Sequence, residues 1–272
     1  MYFFRREKVQ CRYQFSLRDA VDITLLQRAL TAALASAPYY TQRLVQEKRE
    51  MWLEPNTEPC LVYHGSTMRN IPEQTNGYLF CVSCEGDTVY FDWHHFLLDG
   101  HGVSPLLTSI LEQYCNLRYG TAFAVQQIVC DPPYDMDAML AEHPPVEGGS
   151  DAIQRDVVQT YEGTLRRTRV CLSKQSLVEK ALANNAKPVS ALMGLLCMAM
   201  REYLSKEKIQ YSYSSDTRDV AGVPNALYNC VCSFEHTVQL QAQTRLADFI
   251  SDVDADIKRD LQPQSKRRRM TE

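Results

Sequence analysis

The segment Trp93-His94-His95-Phe96-Leu97-Leu98-Asp99-Gly100-His101-Gly102 constrains this chain more than any other. It follows an apolar, strand-like run from Thr88 to Trp93. It precedes a helix signature in which Ser104 can serve as N-cap and Pro105 as the first helical residue. Leu107, Ile110, Leu111 and Tyr114 then recur at helical spacing, and Gly120 closes the segment. Two histidines, and an aspartate four residues past the second, therefore sit in a loop between a buried strand and a packed helix. Loops held by rigid elements are where proteins usually place chemistry.

The rest of the chain supplies a scaffold of ordinary globular composition. With 272 residues and 45% hydrophobic content it can bury a core as one large domain or two smaller ones. A formal net charge of −4 gives no sign of nucleic-acid binding. Residues 1–150 hold 11 basic against 18 acidic side chains, and residues 151–272 hold 18 against 15. The surplus in the second half is smaller than the run Lys266-Arg267-Arg268-Arg269, so residues 263–272 read as a solvated basic tail.

Ten cysteines raise the possibilities of disulfides and metal. The N-terminus has no apolar run long enough for a signal peptide, and no 18-residue apolar stretch occurs, so no membrane span is expected. A cytoplasmic location with reduced thiols follows as the expectation. Cys81 and Cys84 form a single CxxC inside an alternating strand pattern, and Cys230 and Cys232 lack the spacing of a zinc knuckle. Most of the cysteines read as small core residues.

In chain order, the pattern predicts a strand from Cys11 to Leu17 and a helix from the cap Asp22 to Ser36. Leu26, Leu30, Ala33 and Leu34 share one face of that helix, and Pro38 stops it. Short strands follow at Gln42–Val45, Glu50–Leu53 and Cys60–His64, and a hairpin joins Tyr78–Cys84 to Thr88–Trp93 across Glu85-Gly86-Asp87. Proline pairs and Gly148-Gly149-Ser150 mark residues 131–150 as a linker between a lobe at 1–130 and a second at 151–262. The second lobe reads as a strand from Thr164 to Leu172 and a helix capped by Ser173. A helix from Ser190 comes next, with Leu192, Leu195, Leu196 and Met198 in the core. Strands at Ile209–Ser214 and Tyr228–Val238 and a helix at Leu246–Leu261 complete it. The class is α+β with mixed or antiparallel sheets.

His94-His95-Phe96-Leu97-Leu98-Asp99-Gly100 resembles the HHxxxDG motif of chloramphenicol acetyltransferase, alcohol acetyltransferases and the condensation domains of peptide synthetases. Ala37-Pro38-Tyr39-Tyr40-Thr41-Gln42-Arg43-Leu44 with Met51-Trp52-Leu53-Glu54-Pro55-Asn56, and Asp216-Thr217-Arg218 with Asn229, resemble segments of the alcohol-acetyltransferase branch. The resemblance covers most of residues 11–240. It implies a two-lobed, chloramphenicol-acetyltransferase-like sandwich with a cleft between the lobes. Members of that branch are longer, so the second lobe is expected to be incomplete, with self-association or a partner covering it.

Acyl transfer from a thioester to an alcohol or amine needs a base for the acceptor's proton and a means of holding the oxyanion. Histidine suits the first task because its ordinary pKa lies near 6.5. Side chains at a strand end alternate in direction, so His94 and His95 cannot both enter one cleft. The resemblance assigns the base to His95, leaving His94 as a packed neighbour. It also makes Asp99 a structural carboxylate that pairs with Arg218, beside Gly100 whose freedom lets the loop turn. The implied activity is a CoA-dependent acyltransferase with acyl-CoA as co-substrate, a small alcohol or amine as acceptor and no bound cofactor. A catalytically inactive, condensation-like binding module is the alternative. No residues that bind CoA are assigned; Arg201, Lys206 and Lys208 are the cations that could meet its phosphates. His94, His95, Asp99 and His101 lack the spacing of a metal-binding motif, so no metal site is expected.

Overall fold

The computed structural model describes residues 10–48, 50–95, 97–125, 127–142 and 170–271. The chain divides into two compact units. One comprises Met1–Pro133 with Gly222–Cys230, and the other Tyr134–Ala221 with Val231–Glu272. The segment 222–230, which reads from sequence as a turn followed from Tyr228 by a strand, belongs instead to the unit that carries the two histidines, and the strand begins at Val231.

The first unit begins with β1 (Gln10–Ser16) and α1 (Ile23–Ala35). Asp22 caps α1 by accepting the N–H groups of Thr24 and Leu25 at 2.9 and 3.0 Å. A 3₁₀ turn at Pro38–Tyr40 leads into the ribbon of β2 (Gln42–Glu47) and β3 (Glu50–Pro55). Next come β4 (Val62–His64), β5 (Phe80–Glu85), β6 (Thr88–His94) and the helix α2 (Gly100–Tyr119). β1, β6, β5 and β4 form one mixed sheet in that order, with β4 parallel to β5 and the other pairs antiparallel. Glu85 pairs with Thr88, so the hairpin closes on Gly86-Asp87, and Gly86 takes the left-handed conformation at φ +59°.

Alternation along the hairpin places Phe80, Val82, Val89, Phe91 and Trp93 in one core with Leu26 and Leu30 of α1 and Leu106 and Ile110 of α2. The two helices contact one another and so share this core. Asp92, also buried, is held by a bidentate pair with Arg12 at 2.6 and 2.7 Å. β6, which delivers the histidines, is therefore fixed by neighbours on both edges.

The second unit contains α3 (Met136–Glu142), α4 (Lys174–Ala183), α5 (Pro188–Leu204), β7 (Lys208–Asp216), α6 (Arg218–Ala221), β8 (Val231–Gln239), α7 (Leu246–Asp260) and α8 (Pro263–Thr271). β7 and β8 pair antiparallel over their full length. Ile209, Tyr211, Cys197, Phe249, Val253 and Ile257 form its main core. The strand expected at Thr164–Leu172 and the second half of the expected linker lie largely outside the described residues.

Three expectations are corrected here. α2 begins at Gly100 with Asp99 as its N-cap, not at Ser104, and Pro105 lies inside it. A carboxylate in extended conformation is a strong cap, and it outweighs the one helical bond that Pro105 removes. In α5 the buried positions are Ser190, Ala191, Gly194 and Cys197, while Leu196 is 50% exposed and Leu192, Leu195 and Met198 are half-buried. The cause is close approach of α7: a Cβ on Gly194 would stand 2.8 Å from Ile250 Cγ1, so only small residues fit the inward face. Finally, the basic tail is helix α8, in which buried Lys266 pairs with Asp219 at 2.9 Å.

Candidate active site

β6 ends at His94, whose N–H donates to Leu79 O at 2.8 Å and whose side chain is fully buried. His95 lies in the turn that follows and is half-buried. One histidine is thus sealed in the core and the other borders solvent, as their alternation on the backbone requires.

The loop from His94 to Gly100 is tied at nearly every step. Leu97 N–H closes a turn onto His94 O at 3.0 Å, and Trp93 Nε1 donates to Leu98 O at 3.1 Å. Tyr39 and Tyr40, carried by the 3₁₀ turn, donate to Leu97 O at 2.9 Å and Gly102 O at 2.7 Å. Burial pushes both phenols well above their ordinary range, so they remain donors. Sequence reasoning gave these tyrosines no part in the site; the signal is their position in Ala37-Pro38-Tyr39-Tyr40, where Pro38 starts the turn that aims both rings.

Asp99 is buried and accepts two main-chain N–H groups, from Gly102 at 2.8 Å and from Cys230 at 2.9 Å. The carboxylate joins the start of α2 to the end of the 222–230 segment. Gly102 itself sits hard against that segment, where a Cβ would fall 1.8 Å from Leu227 O. Gly100 opens α2 and is exposed.

Asn229, on the same returning segment, is the hydrogen-bond partner of His95 among the described residues. Its Nδ2 stands 3.4 Å from His95 Nδ1 and 3.4 Å from His95 O, while its Oδ1 is buried and makes no hydrogen bond. The ring of His95 therefore meets an amide, and Asp99 is turned to backbone donors instead. Arg43 is engaged by Glu54, its Nε donating at 2.8 Å. Arg218 lies in the other unit, where it is buried and its Nη1 meets Asp216 at 3.1 Å.

All ten cysteines are free thiols, and burial pushes Cys81 up to about 12 and Cys197 up to about 11. No set of three or more His, Cys, Asp or Glu among the described residues is arranged to hold a metal ion. Arg201 and Lys206 border a cavity of about 280 Å³ in the second unit, but Glu202 and Glu207 share its wall. No described helix is long and apolar enough to cross a membrane.

No protein-family model matches the chain, and no curated protein matches it. Solved structures do. Polyketide synthase associated protein 5 from Mycobacterium tuberculosis aligns with TM-score 0.71 and 18% identity over 95% of this chain and 71% of that one. The epimerization domain from the third module of tyrocidine synthetase B aligns at 0.65 and 14%, over 97% and 70%. The first condensation domain of the calcium-dependent antibiotic synthetase aligns at 0.62 and 15%, over 95% and 71%. At such identities the likeness is one of fold. The chain has the chloramphenicol-acetyltransferase-like fold of condensation and epimerization domains.

Proposed function

We propose that this protein transfers an acyl group from a thioester to an alcohol or amine, with His95 as general base. The observation that carries the reading is the placement of His95: half-buried, on a loop fixed at both ends, with one ring nitrogen facing Asn229. In the reaction the acceptor's proton passes to Nε2 as its oxygen or nitrogen attacks the thioester carbonyl. The tetrahedral oxyanion then collapses, the C–S bond breaks, and the same proton passes to the departing thiolate. Thiolate is a competent leaving group, so no covalent enzyme intermediate is required.

The tautomer of His95 decides whether this works. With Asn229 Nδ2 donating to Nδ1, the ring proton sits on Nε2 and no basic lone pair is free. Turning the amide by 180° puts Oδ1 against Nδ1–H and leaves Nε2 as the base. The turned amide gives up the long Nδ2 contact with His95 O and gains a partner for the otherwise unbonded Oδ1.

The donor is acyl-CoA in the simplest form of the proposal. A carrier-protein thioester, which presents the same pantetheine arm, is the second form. It is favoured by the likeness to a condensation domain of an antibiotic synthetase. Asp99, Gly100 and His94 are proposed to support the site by shaping the loop, and Arg218, which meets Asp216 in its own unit, is proposed as a further supporting residue. Release of free thiol from acetyl-CoA, and in a second arm from acetylated carrier protein, is measured with mixed alcohols and amines. Acceptor-dependent release is the expected result. Its absence in both arms would leave the chain a binding module.

A further inference from the structure

We propose that two copies of this chain associate through α5, antiparallel, about a two-fold axis at Leu196. α5 is apolar nearly all round, and a helix of that kind is stable when both of its faces are covered. The face of small residues is covered: Ser190, Ala191, Gly194 and Cys197 are buried, and α7 packs against α5. The opposite face stays open. Leu196 is 50% and Tyr203 85% exposed, Val189 and Met200 are exposed as well, and Leu192 is half-buried between them.

The spacing of these residues points to a second copy as the cover. Val189, Leu192, Leu196, Met200 and Tyr203 stand at −7, −4, 0, +4 and +7 relative to Leu196. At 3.6 residues per turn they fall on one stripe of the helix, and the series reads the same in both directions. A two-fold interface must be self-complementary, so that residue i meets j and j meets i. An antiparallel pair centred on Leu196 therefore sets Leu196 against itself, Leu192 against Met200 and Val189 against Tyr203. An unrelated chain places no such requirement on the spacing.

Charge and area agree with this pairing. Glu202, exposed on the flank of the stripe, comes within three residues of rise, about 4.5 Å along the axis, of the exposed Lys187 of the partner copy. Arg201 is engaged elsewhere, donating to Gln241 O at 2.8 Å. Scaled by the area that side chains of these types remove from water, the stripe and the adjoining Leu204 expose on the order of 400 Å² of apolar surface per copy. A stable interface buries about 800 Å² per partner, a little over half of it apolar, so the stripe supplies the apolar share.

The test is sedimentation equilibrium of the full chain over a range of micromolar concentrations, which should show a reversible dimer. Leu196→Glu brings two carboxylates together on the axis and should weaken association about a hundredfold or more. Leu196→Cys should give a disulfide-linked dimer on air oxidation, because the two thiols face one another across the axis. Met200→Cys should link no more than the parent, since its symmetry mates lie eight residues of rise apart, about 12 Å, too far for a disulfide. The cysteine pair decides even if Leu196→Glu fails to fold. None of these measurements needs turnover, so they stand apart from the acyl-transfer reading. A monomeric parent, which leaves the face to a different chain, overturns the proposal. So does a dimer unaffected by Leu196→Glu, or linking by Met200→Cys as readily as by Leu196→Cys.

Discussion

Asp99 Oδ2 accepts the main-chain N–H of Cys230 at 2.9 Å, across 131 residues of sequence. With Oδ1 capping α2 through Gly102 N–H at 2.8 Å, one carboxylate fastens the motif loop to the segment that brings Asn229. Asp99→Ala removes a helix cap and leaves a buried N–H without an acceptor, a combined loss of about 2–4 kcal/mol. Asp99→Asn keeps an acceptor oxygen and should lose less. Chemical denaturation of both variants beside the parent checks the order.

Gly102 has no room for a side chain. The added Cβ of Gly102→Ala would meet the backbone oxygen of Leu227 at 1.8 Å, and backbone cannot swing aside as a flexible side chain can. Displacing the 222–230 segment also disturbs Asn229 and Cys230. The expected result is a loss of at least about 3 kcal/mol, the upper part of the range for overpacking, together with most activity. Thermal melts and thiol release measure both.

Asn229 acts on His95 without touching the reacting atoms, so its test has to separate positioning from simple destabilisation. Asn229→Asp offers Nδ1–H an acceptor in either orientation and should retain activity. Asn229→Leu offers no acceptor and should lower kcat about 10–100-fold with little change in KM, the scale of a misdirected general base. Equal activity in the Leu variant would remove Asn229 from the mechanism.

How much of this was legible in the sequence depended on how local the cause was. Asp22 as a cap, the hairpin turn at Gly86 and the face of α1 carrying Leu26 and Leu30 follow from neighbours in the chain, and the structure bears them out. At the start of α2 two local signals compete, Pro105 and the cap Asp99, and the second partner that fixes Asp99, Cys230, lies 131 residues away and leaves no mark near the motif. Leu196 was placed in the core because α5 is apolar nearly all round, and only the approach of Ile250 to Gly194 decides which face turns inward. For the two tyrosines that hold the motif loop the local signal is the turn started by Pro38, while their hydrogen bonds to distant carbonyls leave no spacing pattern.

In the second unit Asp254 of α7 supplies the cap that α5 lacks locally. It accepts Lys187 N–H at 2.9 Å and Ser190 Oγ at 2.7 Å, and it pairs with Lys258 at 2.6 Å. Burial raises its pKa, but the hydrogen bonds from Lys187, Lys258 and Ser190 outweigh this and hold it below the ordinary 3.8. A carboxylate depressed by folding stabilises fully above its unfolded value and loses that contribution as pH falls through the folded one. Stability of the parent should therefore drop below about pH 4, and Asp254→Asn should flatten that drop while costing about 1–3 kcal/mol at neutral pH. Denaturation midpoints from pH 3 to 7 give the comparison.

The most direct measurement is acceptor-dependent thiol release by His95→Ala beside the parent, with the melting temperature of both. The account predicts a fall of about 10²–10⁴-fold in rate, the contribution of a general base. The melting temperature should stay within about 2 °C, since among the described residues the hydrogen-bonding contact of the half-buried ring is the 3.4 Å one with Asn229. A variant that keeps the parent's rate would contradict the account, whatever its stability.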